Sequence, residues 1–150
     1  MKKLIAVVGA GECTAEIYAL AKHAGSALAE HDYTIICGGL GGVMQGACEG
    51  AKSRGGLTIG VLPGDAAEAA NSYIDIPIIT AMGIARNVII VRSALAVLAI
   101  SGGYGTLSEI AFALQLKKPV IGLKSWGISN DIIEARDVPD AVLKLQKTLN

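Results

Sequence analysis

The sequence predicts an α/β fold, a Rossmann-like, doubly wound and mostly parallel sheet flanked by helices, and three observations carry that prediction. Short apolar runs alternate with stretches of helical periodicity along the whole chain. Three of those runs end in glycine-rich turns that open a helix. Hydrophobic residues make up 52% of the chain but aromatic ones only 4%, so the core must be built from Ala, Val, Ile and Leu. Strands alternating with helices imply parallel pairing through right-handed crossovers. Continuous Val- and Ile-rich runs suit a sheet covered on both faces.

Taken in order, Leu4 to Val8 reads as a buried strand ending at Gly9-Ala10-Gly11. From Thr14 to Glu30 the residues Ile17, Leu20, Ala21, Ala24 and Leu28 recur at helical spacing. Tyr33 to Cys37 is a second strand, and Gly38 to Gly42 its turn. A helix from Val43 to Arg54 stops at Gly55-Gly56, a C-terminal signal. Leu57 to Leu62 is a third strand, Asp65 to Ser72 a loop, and Tyr73 to Thr80 a short strand weakened by Pro77. Gly83 to Ser93 is helical, Leu95 to Ile100 a buried strand, and Ser101 to Thr106 a third glycine turn. A helix from Leu107 to Leu116, a strand from Pro119 to Leu123 and a helix from Val138 to Leu149 complete the chain. With no linker or repeat, residues 1–150 are expected to form one nucleotide- or phosphate-binding domain.

Thirteen basic residues balance thirteen acidic ones, so no polyelectrolyte footprint for nucleic acid or an anionic membrane is present. A near-neutral surface is poorly protected against self-association, and a homodimer or higher homo-oligomer is expected. The apolar stretch from Val88 to Ile100 is cut by Arg92 and is too short to span a bilayer. The apolar run after Lys2-Lys3 ends at Gly9, which argues against a signal peptide and for a cytoplasmic protein. Cys13, Cys37 and Cys48 lack metal-ligand spacing, so free thiols are expected and no metal site.

In parallel sheets, ligands bind beyond the carboxyl ends of strands, and helix N-termini there favour anions. The first turn, Gly9 to Thr14, half matches GxGxxG, but Thr14 replaces the third glycine. The second strand ends in Cys37-Gly38 where a ribose-binding acid would stand, so a nicotinamide-dependent oxidoreductase is disfavoured. Gly9 is read as a turn residue needing positive φ. In the second turn, four glycines in five positions would let the backbone approach a ligand, and the absence of a Walker lysine excludes a triphosphatase loop. In the third, Gly102-Gly103-Tyr104-Gly105-Thr106, the paired glycines would open a phosphate nest. Thr106 can instead cap the following helix, with Glu109 completing a capping box.

The run Gly102 to Glu109 resembles the GGxGTxxE signature of the Lonely Guy family, and the likeness extends through Gly38-Gly39, Gly42, Met44, Gly55-Gly56, Pro63-Gly64 and Arg86. The resemblance implies a Rossmann-like fold, a dimer, and cleavage of nucleoside 5′-monophosphates to free base and ribose 5-phosphate. It gives Arg86 and Glu109 as the catalytic pair, with the Glu109 carboxylate stabilising an oxocarbenium ion or activating water. Arg86 would hold the nucleotide bidentately. The expected ligand contacts are Gly39, Gly41, Gly42 and Met44 from the second turn and Asn87 beside Arg86. Gly102, Gly103, Tyr104, Gly105 and Thr106 supply the rest from the third turn. A similar short branch includes a molybdenum cofactor carrier protein, and this sequence departs toward it. Ser101 replaces a usual proline, Asn87 a usual lysine and Leu95 a common aspartate. The leading expectation is therefore a phosphoribohydrolase acting on a nucleoside monophosphate and needing no cofactor. The alternative is a non-catalytic carrier of molybdenum cofactor or another pterin-type phosphate ligand.

Overall fold

The computed structural model describes residues 1–150. Seven strands form one sheet: β1 (Lys3–Val8), β2 (Tyr33–Cys37), β3 (Thr58–Leu62), β4 (Ile76–Ile79), β5 (Ala96–Ile100), β6 (Val120–Leu123) and β7 (Ile132–Glu134). Their order is β4-β3-β2-β1-β5-β6-β7, and every neighbouring pair is parallel. Five α-helices connect them: α1 (Ala15–Glu30), α2 (Val43–Lys52), α3 (Asn87–Ser93), α4 (Tyr104–Gln115) and α5 (Val138–Leu149).

The side-chain alternation of β1 distributes the core. Ile5 and Val7 join a cluster with Ala21, Ala47 and Leu145, on the face covered by α1, α2 and α5. Ala6 and Val8 join Ile90, Ile110 and Ala113 on the opposite face, covered by α3 and α4. Both faces are thus buried, as continuous apolar strands require. The small residues are needed where α1 meets α2. A Cβ on Gly25 would lie 2.7 Å from the Ala47 carbonyl carbon, and one on Gly50 2.8 Å from that of Lys22. Pro77 sits in β4, an edge strand, where its missing N–H disturbs the ladder least. Helix α2 ends in paired bonds from Gly56 N to Ala51 O and from Gly55 N to Lys52 O, with Gly55 at φ +70°. Cys13, Cys37 and Cys48 are free thiols, and no helix is long and apolar enough to cross a membrane.

Four local expectations need correction. The stretch from Gly83 to Ser93 is a 3₁₀ turn over Gly83–Arg86 followed by α3, not one helix. Helix α4 begins at Tyr104, three residues before Leu107, because Gly103 is extended and its carbonyl accepts the Leu107 N–H at 3.0 Å. Thr106 therefore lies inside the helix and is not its cap, and the capping box with Glu109 is not formed. β7 went unpredicted: three residues give too short an apolar run to read as a strand.

Strands β1 to β4 step outward in one direction, whereas β5 to β7 lie on the other side of β1. The connections after β1 and β5 consequently leave toward opposite faces. A crevice opens between them at their carboxyl ends, where ligands of such sheets bind.

Candidate functional site

A cleft of about 320 Å³ lies at that switch point, bounded by the turns after β1, β2 and β5 and by the start of α3. Of the residues expected to contact a ligand, Met44, Arg86, Asn87, Gly103, Gly105, Thr106 and Glu109 line it. Gly38, one of the second-turn glycines expected to approach a ligand, lines it too, and so do Gly9, Ala10, Gly11, Leu40 and Ile84, which were not among the expected ligand contacts. The adjacency of β1 and β2 brings in the first two turns, which no local pattern announces.

Gly39, Gly41, Gly42, Gly102 and Tyr104 do not line the cleft, and the glycines among them serve the backbone. Gly42 has φ +61°, and a Cβ there would lie 2.6 Å from the Gly11 carbonyl carbon. One on Gly41 would come within 3.0 Å of Gly11 O, so the close approach expected toward a ligand is made to the turn after β1. Gly39 has φ +76° and packs on Leu62. Gly102, at φ +112°, leaves no room for a Cβ beside Thr106. Gly9 is not in the positive-φ region, contrary to expectation; it is needed because a Cβ would lie 2.5 Å from that of Val43.

The helix N-termini that follow the three glycine turns differ in who occupies them. Thr14 caps α1, its hydroxyl accepting the Ile17 N–H at 3.2 Å. At α2 the first N–H, that of Val43, donates to Ala10 O at 3.0 Å. Helix α4 has no side-chain cap and no acidic residue in its first turn. The N–H groups of Tyr104, Gly105 and Thr106 precede its first intrahelical bond. Thr106 is 2% exposed, and its Oγ1 is a buried side-chain oxygen with no hydrogen-bond partner. Such an orphan costs on the order of 1–3 kcal/mol. An anion seated on the open turn would satisfy the hydroxyl and the free N–H groups together.

Arg86 is buried, and its guanidinium is held by the protein. Nε donates to Val61 O at 2.9 Å, one terminal nitrogen to Asn87 Oδ1, and the other to Gly38 O at 3.5 Å. Of five N–H groups, about two remain for a ligand. Gly38 permits this placement, since a Cβ there would stand 2.8 Å from Arg86 and from Met44 Sδ. Asn87 Nδ2 donates to Ser108 Oγ at 3.1 Å, tying the start of α3 to the second turn of α4. Burial lowers the Arg86 pKa, opposed by the nearby charge of Glu109. Glu109 is itself buried, and desolvation raises its pKa to about 8 against the restraining charge of Arg86. Near neutral pH it is mostly a neutral acid, which differs from the carboxylate expected of a catalytic base.

Comparison with known proteins adds three findings. The SLOG cluster4 family model matches residues 2–149. An uncharacterized protein of Archaeoglobus fulgidus is 51% identical over 120 residues, 80% of this chain and 79% of that protein. Two solved structures superpose over almost the full length. The molybdenum cofactor binding protein of Rippkaea orientalis has 32% identity and a TM-score of 0.93, covering 100% of this chain and 99% of its own. The molybdenum cofactor carrier protein of Chlamydomonas reinhardtii has 34% identity and a TM-score of 0.92, with 99% of each chain covered.

Proposed function

Because the chain belongs to the SLOG cluster4 family, we propose that it binds and carries a pterin-type phosphate ligand, with the phosphate on the N-terminus of α4. One observation carries this reading: the buried, unpartnered Thr106 hydroxyl in the first turn of α4, a helix start without a side-chain cap that borders the cleft. The donors there are neutral N–H and O–H groups, which hold a phosphate without the side-chain entropy of a long cation. The volume of about 320 Å³ falls within the range of small-ligand sites. The solved relatives described as molybdenum cofactor binding and carrier proteins support a pterin-type cargo. This chain's own residues would bind and orient it: Thr106 and the α4 N–H groups on the phosphate, Arg86 and Met44 on the wall behind.

Carriage without turnover agrees with two features. Arg86 spends its donors chiefly on Val61, Gly38 and Asn87. Glu109, near neutral pH, lacks the charge that opposes an oxocarbenium ion. Hydrolysis of a nucleoside 5′-monophosphate is the second reading, favoured because Arg86 and Glu109 both border the cleft. There the protonated Glu109 would act as general acid toward the leaving base.

Incubating the purified protein with a nucleoside monophosphate panel separates the two. Carriage predicts calorimetric binding of ribose 5-phosphate with no base released. Release of base at catalytic turnover overturns carriage in favour of hydrolysis, and failure to bind any phosphate compound overturns both.

A further inference from the structure

The chain holds one Trp, one Phe and four Tyr. Two of these six aromatics are stacked together beside the cleft. Tyr104 and Trp126 have ring centroids 6.4 Å apart and planes inclined by 22°. Tyr104 is 85% exposed, so one face of its ring is open to solvent. Its two chain neighbours, Gly103 and Gly105, line the cleft, so the ring projects from the turn that bounds it, although it is not itself part of the lining.

The support beneath the ring is built from the turn after β6. Trp126 packs against the core face covered by α3 and α4, and its Nε1 donates to Gly103 O at 3.1 Å. Ser125 Oγ donates to Ser101 O at 2.7 Å, fastening the same turn to the one that precedes α4. Lys124 and Ser101, facing across this junction, both adopt positive φ, 54° and 49°. A second hollow is lined by Ser101, Gly102, Lys124 and Trp126. The 101–105 turn thus contributes to both concavities, Gly103 and Gly105 to the cleft and Ser101 and Gly102 to the second hollow. The core packing and the hydrogen bond fix Trp126, and Trp126 in turn orders Tyr104. A stack held this way loses little entropy when a third ring is added.

We propose that Tyr104 and Trp126 form a stacking platform at the rim of the phosphate cleft that receives the planar heteroaromatic ring of the ligand, Tyr104 supplying the free face and Trp126 positioning it. The proposal rests on the phosphate reading of the same cleft. It adds a specificity: phosphates that carry a flat bicyclic nitrogen heterocycle are retained over phosphates that carry a sugar alone. Every such heterocycle has a π-face, so the platform selects for ring area and not for one hydrogen-bonding edge.

The test uses two probes, GMP and ribose 5-phosphate, with the full-length protein in calorimetry. Trp126, the only tryptophan, serves as an internal fluorophore. GMP is expected to bind roughly tenfold or more tightly than ribose 5-phosphate and to change Trp126 emission, whereas ribose 5-phosphate leaves the emission unaltered. Tyr104→Ala, at an exposed position, should lose roughly tenfold in GMP affinity while ribose 5-phosphate binds as before. Tyr104→Phe should restore the GMP value. Equal wild-type affinities for the two probes overturn the platform and leave the phosphate site standing. An equal loss of both probes in Tyr104→Ala overturns it as well, by assigning Tyr104 to the fold of the α4 start. Absence of ribose 5-phosphate binding in the wild type removes the phosphate reading itself, and the platform with it.

Discussion

Replacing Glu109 by Gln keeps the shape of the side chain and removes its proton equilibrium, so the variant isolates what burial does to this carboxyl. The native protein raises the group from an ordinary value of 4.5 to about 8. Between those limits the folded chain holds a proton that the unfolded chain has released. Unfolding then takes up no proton but loses one, so stability falls as pH rises. The slope is about 1.4 kcal/mol for each pH unit, and the whole interval corresponds to roughly 5 kcal/mol. From about pH 5 to about pH 8, part of the interval lies near the upper end, where the native group itself ionises. The expected loss in that window is therefore about 3 kcal/mol. Glu49, Asp75 and Asp140 have lowered values and titrate below the window, and taking the difference from the variant cancels what they share. Urea unfolding of both proteins across this range provides the assay. At about pH 5 the two should agree within about 1 kcal/mol, and at about pH 8 Glu109→Gln should be the more stable by about 3 kcal/mol. A difference that stays flat from pH 5 to 8 would refute the reasoning, because it would mean a solvated, ordinary carboxylate in the native cleft.

Further outcomes follow from the same geometry. Thr106→Val removes the orphaned hydroxyl at constant volume, so the unliganded protein should keep or gain up to about 1 kcal/mol. Its affinity for ribose 5-phosphate, measured by calorimetry, should fall roughly tenfold, and an unchanged affinity would remove Thr106 from the site. Arg86→Met strips partners from Val61 O, Gly38 O and Asn87 Oδ1 and should cost about 2–4 kcal/mol in urea unfolding. The exposed Arg92→Ala should stay within about 0.5 kcal/mol, and equal effects would contradict the pinned role of Arg86. Gly42→Ala meets both a φ of +61° and the Gly11 carbonyl, so thermal unfolding should show a loss above about 2 kcal/mol. A neutral result there would mean that the turn after β2 does not dock on the turn after β1.

Much of the fold could be read from local patterns. The runs Leu4 to Val8, Tyr33 to Cys37 and Leu95 to Ile100 announced β1, β2 and β5 to within a residue, since a buried parallel strand tolerates no polar alternation. The run Gly102 to Glu109, through its family resemblance, pointed to the part of the cleft supplied by α4, and Arg86 and Asn87 supply the other polar side chains that line it. Gly9 to Gly11, Leu40 and Ile84 were not, because they reach the cleft through strand adjacency and helix packing, not through any motif of their own.

By itself, the sequence determined the class of the sheet, the positions of its glycine turns and the residue types available for chemistry. All of these depend on patterns a few residues long: backbone freedom, side-chain period and apolar run length. The tertiary structure alone decided which turn is open. Thr14 closes the start of α1, Ala10 O takes the first N–H of α2, and α4 is left uncapped with Thr106 buried beneath it. It likewise decided the state of Glu109, since desolvation acts only after distant elements have closed around the side chain. The Ala10–Val43 bond joins groups 33 residues apart in sequence, 43 minus 10, and its donor finds that acceptor only because β1 and β2 lie side by side in the finished sheet.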